Sequence, residues 1–226
     1  MKKSILLFVS FAMAICMQAQ PSHKFLEKQL DKRSDCKSVA ITKKNGDALL
    51  YGDCGWGASK LCPVKFSRTL FEVSEWQDTT IHDIHISELG KWYILYGDNQ
   101  IHSDLLYENL EEQIKRCQDK QDKITTVTFN DKGDWIVICE KSLSASSDDL
   151  MDWLSEGCDK YGQLWTACVT DDAAVACYEF GFKFWGNVPE NLKTTLRNCK
   201  SDVYTVKISG NAWFFKCTNG YSRSNL

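Results

Sequence analysis

Proline is nearly missing from this 226-residue chain, with 3 copies, and glycine is held to 13. That composition excludes collagen-like and low-complexity character. No sign of charge dominates: 27 basic residues stand against 30 acidic ones, a formal net of −3. Gripping nucleic acid needs a clustered basic face, so no nucleic-acid partner is expected. Cysteines are plentiful, 11 in all, yet no Cys-x-x-Cys pair occurs, which argues against a zinc ribbon or a thioredoxin-like site. A Gly-rich phosphate loop, a Ser-centred elbow and a His-Glu-x-x-His helix are also lacking, and no cofactor or metal is expected. Beyond the first residues, no apolar run is long enough to cross a membrane.

What is present starts with an address. Met1-Lys2-Lys3 leads into an apolar stretch over residues 4–15, and the small residue Ala19 follows. This is the pattern of a secretory signal peptide over residues 1–19, too short for a membrane span. Ile15 is not small, which argues against a lipid anchor at Cys16. Cleavage after Ala19 leaves 25 basic against 30 acidic residues, a net of −5, and ten cysteines. The expected location is periplasmic, surface-associated or extracellular, where an even and plentiful cysteine count favours disulfides.

Self-similarity is the dominant signal in the remainder. An apolar-x-x-apolar-x-apolar pattern recurs five times, with its fourth position at Val39, Ile84, Val127, Ala167 and Val206, at steps of 45, 43, 40 and 39. Its alternating end predicts a strand with one buried face. Turn residues follow each time, as in Asn45-Gly46-Asp47 and Asp131-Lys132-Gly133. A second, almost continuously apolar run comes next, such as Trp92-Tyr93-Ile94-Leu95-Tyr96, predicting a strand covered on both faces. A third, more polar strand precedes a helix anchored by Phe66/Leu70, Leu110/Ile114, Leu150/Leu154 or Leu192/Leu196, each pair four residues apart. Pro63 and Pro189 suit helix starts, and Asp148 and Asp149 supply N-terminal charge.

The unit is therefore β-β-β-α, with copies over 36–80, 81–123, 124–163, 164–202 and 203–226 in a single domain over 20–226. The fifth copy stops without a helix, and an orphan helix within residues 20–35 precedes the first strand. An open solenoid has no use for such a split unit, whereas a closed ring removes free edges. The expected fold is α/β, five units closed into a pseudo-five-fold ring. The alternative is a five-bladed β-propeller with helical insertions.

Five β-β-β-α units resemble, by circular permutation, the β-β-α-β units of the pentein, or α/β-propeller, fold. The run from Gly90 to Asn99 is similar to repeats in exported bacterial proteins of unassigned function. Copy four departs from it by carrying Ala174 where a tryptophan stands elsewhere, and copy one has no aromatic before Leu49. Penteins that attack guanidino groups use a nucleophilic cysteine with a histidine and acids, so the resemblance implies a hydrolase as one reading. Cys62 or Cys168 with His82, His85 or His102 are the candidates for it, none within a recognisable local motif. Fold resemblance alone decides nothing about activity.

His82 and His85 are read as lying three apart on a strand, on opposite faces, and so not gripping one ion. Asp131, Asp134, Asp171 and Asp172 sit in turns that favour acids for conformational reasons. Trp92, Trp135 and Trp213 share one repeat position and are expected in the core, as is Trp153 on its helix. Trp56 and Trp185 fall on the polar third strand, where exposed aromatics beside polar groups serve binding. With His102 they are the candidate ligand-binding residues. The preferred function is a non-catalytic binding or scaffold protein for a glycan or a protein partner.

The repeat also orders the cysteines. Cys117, Cys158 and Cys199 end helices, and Cys139, Cys177 and Cys217 leave the second strand of the following copy. In an antiparallel hairpin the start of strand one lies beside the end of strand two. Disulfides 117–139, 158–177 and 199–217 are expected, and 36–54 by a looser version of the same arrangement. Loops of this size stabilise by about 3 kcal/mol each in the chain-entropy model. Cys62 and Cys168 are left over.

Overall fold

A computed structural model of the chain describes residues 23–76 and 79–226. The signal peptide expected over 1–19 lies outside them. The N-terminal helix α1 spans Lys24–Leu30. Five three-stranded antiparallel meanders follow: β1 to β3 (Cys36–Ala40, Ala48–Tyr51, Gly55–Ala58), β4 to β6 (Ile81–Ile86, Trp92–Tyr96, Gln100–Asp104) and β7 to β9 (Ile124–Phe129, Trp135–Cys139, Leu143–Ala145). The last two are β10 to β12 (Leu164–Val169, Ala173–Tyr178, Gly181–Gly186) and β13 to β15 (Val203–Ser209, Ala212–Cys217, Ser222–Asn225). Helices α2 (Val64–Ser74), α3 (Glu108–Asp119), α4 (Asp148–Tyr161) and α5 (Glu190–Arg197) separate them. Pro63 and Pro189 are the N-caps of α2 and α5, where a missing N–H costs nothing. The turn residues Gly90 and Gly133 take φ of 84° and 102°, which a side chain would strain.

The first strand of each copy carries the same irregularity. Its register shifts between Cys36 and Ser38, Ile81 and Asp83, Ile124 and Thr126, Leu164 and Thr166, and Val203 and Thr205. One residue is inserted each time: Lys37, His82, Thr125, Trp165 or Tyr204. A bulge of this kind restores facing across an odd spacing, so the first, fourth and sixth positions of the pattern share one side. The core confirms it. Ile81, Ile84 and Ile86 meet in one cluster, as do Ile124, Val127 and Phe129, and likewise Val203, Val206 and Ile208.

Each cluster wedges a helix between two consecutive sheets. Phe66, Leu70 and Val73 of α2 touch Leu50 of the first sheet and Trp92 and Ile94 of the second. Leu110 and Ile114 of α3 sit between Tyr93 and Val137, Leu154 of α4 between Ile138 and Ala176, and Leu192 and Leu196 of α5 between Val175 and Phe215. Helix α1 repeats the arrangement between the last sheet and the first, where Leu26 packs with Val39 and Leu49 on one side and with Ala212 and Phe214 on the other. Lys216 adds a polar tie from β14 by donating to the carbonyl oxygen of Cys36 in β1.

Leu26 and Phe214 are 0% and 1% exposed in that shared cluster. Leu26→Ala and Phe214→Ala each lower the unfolding free energy by about 2–5 kcal/mol, the usual cost of truncating a large buried apolar side chain. The double variant departs from additivity by about 0.5 kcal/mol or more, because the two side chains line one cluster. Urea denaturation of the four proteins measures this, and strict additivity would count against a shared core.

Candidate functional site

On the side of the first strands away from the helices, the residues between the apolar positions form a buried polar strip. Ser38, Asp83, Thr126, Thr166 and Thr205 occupy one level, with His85, Thr128, Cys168 and Lys207 beside them. Asp83 is the hub. It accepts from Lys207 Nζ at 2.9 Å, from the Ser38 hydroxyl and from the Tyr93 phenol, whose oxygen also lies 2.6 Å from the Val127 carbonyl. Lys207 donates in addition to the carbonyl of Ile84 at 3.0 Å. Burial and the Asp83 charge hold the Tyr93 phenol neutral, with its pKa well above the usual value. His85 Nε2 donates to the Phe129 carbonyl at 2.9 Å. Burial, with Lys207 adding to it, lowers its pKa from 6.5 to about 4, against the opposing pull of Asp83 and Asp131.

Above this strip the first turns of all five copies meet around a pit lined by Lys43, His85, Glu88, Asp131, Asp171 and Gly210 among others. Its volume of about 30 Å³ matches one water. The turn acids are engaged by neighbouring copies. Glu88 accepts from Lys43 N at 2.9 Å and from Ser209 Oγ at 2.6 Å. Asp131 accepts from Leu89 N at 2.9 Å, and Asp171 from Asp131 N at 3.0 Å. These carboxylates tie copy to copy. The candidate nucleophiles are enclosed as well. Cys168 lies between the Ile208 backbone N–H and Thr128, and burial raises its pKa despite nearby Lys207. Cys62 donates to the Asp47 carbonyl at 3.1 Å, and burial pushes its pKa up to about 11. The bulge alters the facing assumed for the two histidines. His82 is the inserted, exposed residue with Nε2 on the Gly97 carbonyl, 2.7 Å away, and so shares no partner with His85.

A larger opening lies where copy four departs from the repeat. In copies two, three and five a tryptophan opens the second strand opposite the sixth pattern position and packs on the preceding helix. Trp92 meets Phe66 of α2 edge-on at 5.6 Å, and Trp213 Nε1 donates to Asn191 Oδ1 of α5 at 3.1 Å. In copy one, the register of β1 and β2 continued by one residue puts Asp47 there. Its carboxylate is held by His23 Nδ1, 3.0 Å away, at the N-cap of α1. In copy four the place belongs to Ala174, opposite Val169. The space a tryptophan would take is open, a pocket of about 380 Å³ lined by Val169, Ala174, Leu150, Trp153, Trp185, Asp134, Ser147 and Asp149.

Local structure presents these side chains. Ser147 caps α4 by accepting from Leu150 N at 3.3 Å, which sets Asp149 in the first turn and Trp153 one turn later. Trp185 pairs with Ala174 across β11 and β12 and is 56% exposed. Asp134 is oriented by Asn130 Nδ2 at 2.7 Å. Two indoles, a serine and two carboxylates thus surround an apolar floor, in the size range of small-ligand sites. Trp185, expected at a binding surface, lines this pocket, and Trp153, expected in the core, packs against the α4 cluster while half-buried at the pocket wall. The signal for the pocket was the missing tryptophan at Ala174.

The other candidates lie elsewhere. Trp56 is half-buried against the α2 cluster, with Nε1 donating to Ser74 Oγ at 3.0 Å. His102 stacks on Tyr96 at 5.2 Å and lies 5.8 Å from Trp76, apart from the Trp185 pocket.

Among the ten described cysteines no two sulfurs lie at disulfide-bond distance. Two expected pairs are brought together: Cys199 and Cys217 lie 3.2 Å apart between sulfurs, and Cys117 hydrogen-bonds Cys139. Cys158 and Cys177 are not paired, and the register shows why. Cys139 and Cys217 stand opposite the first strand residues Ile124 and Val203, but in copy four that place is held by Tyr178, opposite Leu164. Cys177 is one residue short, so it faces the other side of the sheet, in the α5 cluster, while Cys158 packs in the α4 cluster. Cys36 is buried under α1 and Cys54 is exposed in the following turn. No protein-family model matches the chain, and no curated protein matches it.

Two stability measurements check the polar strip. Lys207→Met leaves Asp83 without its cation and costs about 3–5 kcal/mol in chemical denaturation, while the double variant with Asp83→Asn costs less than Lys207→Met alone. His85 binds no proton in the folded chain until about pH 4, whereas the unfolded chain binds one near pH 6.5. The unfolded state is therefore favoured as pH falls through that window, and stability supplied by neutral His85 is fully present above pH 6.5. His85→Gln flattens the decline in urea midpoint between pH 6.5 and 4.

Proposed function

We propose that the mature chain is an exported, pentein-like ring of five copies that binds a glycan in the pocket around Ala174 without changing it chemically. The pocket carries the reading. Indole faces offer flat apolar surface to the C–H faces of a sugar ring, and carboxylates beside them accept hydrogen bonds from its hydroxyls. Trp153 and Trp185 supply the first, and Asp134 and Asp149 the second. Ring closure is supported by α1, which wedges between the last and first sheets as the other helices do between theirs, and by a pit to which all five copies contribute. Export is supported by the basic, apolar, small-residue succession of residues 1–19. Among the described residues no helix is long and apolar enough to cross a membrane. A nucleophilic cysteine needs a lowered pKa and access, and burial gives Cys62 and Cys168 the opposite of both.

The repeat itself provides the test. Ala174→Trp restores the side chain of copies two, three and five and fills the pocket from within. On a glycan array it loses the ligands that the wild type retains, while melting at or above the wild-type temperature. Trp185→Ala weakens the same ligands about tenfold, equivalent to about 1.4 kcal/mol. Retention of every ligand by Ala174→Trp sinks the assignment.

A further inference from the structure

The cysteine pairs of copies three and five occupy the same place in their units but differ in access. Cys117 and Cys139 are 2% and 7% exposed, in a cluster capped by Gln113, whose Nε2 donates to Cys117 Sγ at 3.5 Å. In copy five Cys217 is 0% exposed, yet Cys199, just past the end of α5, is partly exposed and lines a pocket of about 500 Å³. Its lining carries polar side chains and two basic ones. Thr194, Thr195, Ser201 and Asn219 supply hydrogen-bonding groups, and Lys200 and Arg223 are its charged residues. Asp202 also acts on Cys217 and is not among the residues lining the pocket.

We infer that Cys199 and Cys217 are a thiol–disulfide exchange site for a small anionic disulfide that docks against Lys200 and Arg223. The roles follow from access. The Cys199 thiolate attacks one sulfur of the incoming disulfide, the S–S bond of that molecule breaks, and its first half leaves as a thiolate that takes a proton from water. Cys217, whose sulfur is already 3.2 Å away, loses its proton to solvent and attacks Cys199 Sγ. The mixed disulfide breaks, and the second half leaves as a thiolate that takes a proton from solvent. The protein dithiol is oxidised by two electrons and the small disulfide is reduced to two thiols, with no other reactant. Burial and the neighbouring Cys199 sulfur raise the pKa of Cys217 to about 12, which keeps it protonated until the intramolecular step and leaves the opening attack to Cys199. Copy three lacks the second half of the arrangement: its sulfurs adjoin each other, but both cysteines are buried.

The folded, reduced full chain is treated with oxidised glutathione, quenched by alkylation over time and mapped by peptide mass spectrometry. Cys199–Cys217 forms first, with Cys117 and Cys139 still alkylated as thiols. Cys217→Ser stops at a glutathione adduct on Cys199, and Lys200→Ala with Arg223→Ala slows the reaction several-fold with glutathione disulfide but not with the uncharged hydroxyethyl disulfide. Equal rates at both pairs, or an adduct in Cys217→Ser found mainly off Cys199, overturns the inference. So does an equal effect of the two charge removals on both disulfides, which reads out docking even if Cys217→Ser fails to fold. None of these readouts depends on the Trp185 pocket, so this site and the glycan reading fail or stand separately.

Discussion

One extra residue near the start of each first strand governs the packing of the whole chain. In a regular strand, apolar side chains three apart would point to opposite faces, and no single helix would cover both. The bulge at Lys37, His82, Thr125, Trp165 and Tyr204 turns the first, fourth and sixth positions to one side, where a helix meets them. The side chains between are then forced onto the opposite side, against their counterparts in neighbouring copies. That side is polar, and each polar group there must find a partner. Asp83 answers for three copies at once, by taking donors from Ser38, Tyr93 and Lys207.

Much of this was legible in the chain. Strand two reads as a continuous apolar run because it is covered on both faces, and the helix anchors recur at a spacing of four because one face meets the core. The bulge itself was not legible. Its inserted residues share no chemistry, being a lysine, a histidine, a threonine, a tryptophan and a tyrosine, so composition does not mark them. The apolar-x-x-apolar spacing was the trace they left. The same limit applies to Cys177: its place in the sequence resembles that of Cys139 and Cys217, but a difference of one residue along a strand reverses the side it faces. Trp56 fell on a polar strand, and only the neighbouring helix end supplied the acceptor that draws its indole inward.

The proposed ligand pocket belongs to a third category, legible as an exception to the repeat rather than as a motif. Two copies lack the tryptophan of the second strand, and they answer the loss differently. Copy one places Asp47 there and fills the gap with His23 from the cap of α1, a buried pair joined at 3.0 Å. Copy four places Ala174 there and nothing fills the gap. A sequence shows both departures equally, but whether a lost side chain leaves a hole depends on what the preceding helix brings to the spot. Trp153 shows the same dependence, since a residue reads as core on its own helix and becomes a pocket wall once the opposing side chain is small.

The tie between Lys216 and the carbonyl of Cys36 joins residues 180 apart in sequence, and α1 bridges the same two sheets. In an open array of repeats each unit contacts only its neighbours, so a growing chain can settle copy by copy as it leaves the ribosome. Here the first copy keeps one side of its core unmatched until the last hairpin has been made. Leu26 gains its partners Ala212 and Phe214 only after β14 has been made. Contacts of such long range slow the search and leave apolar surface uncovered meanwhile.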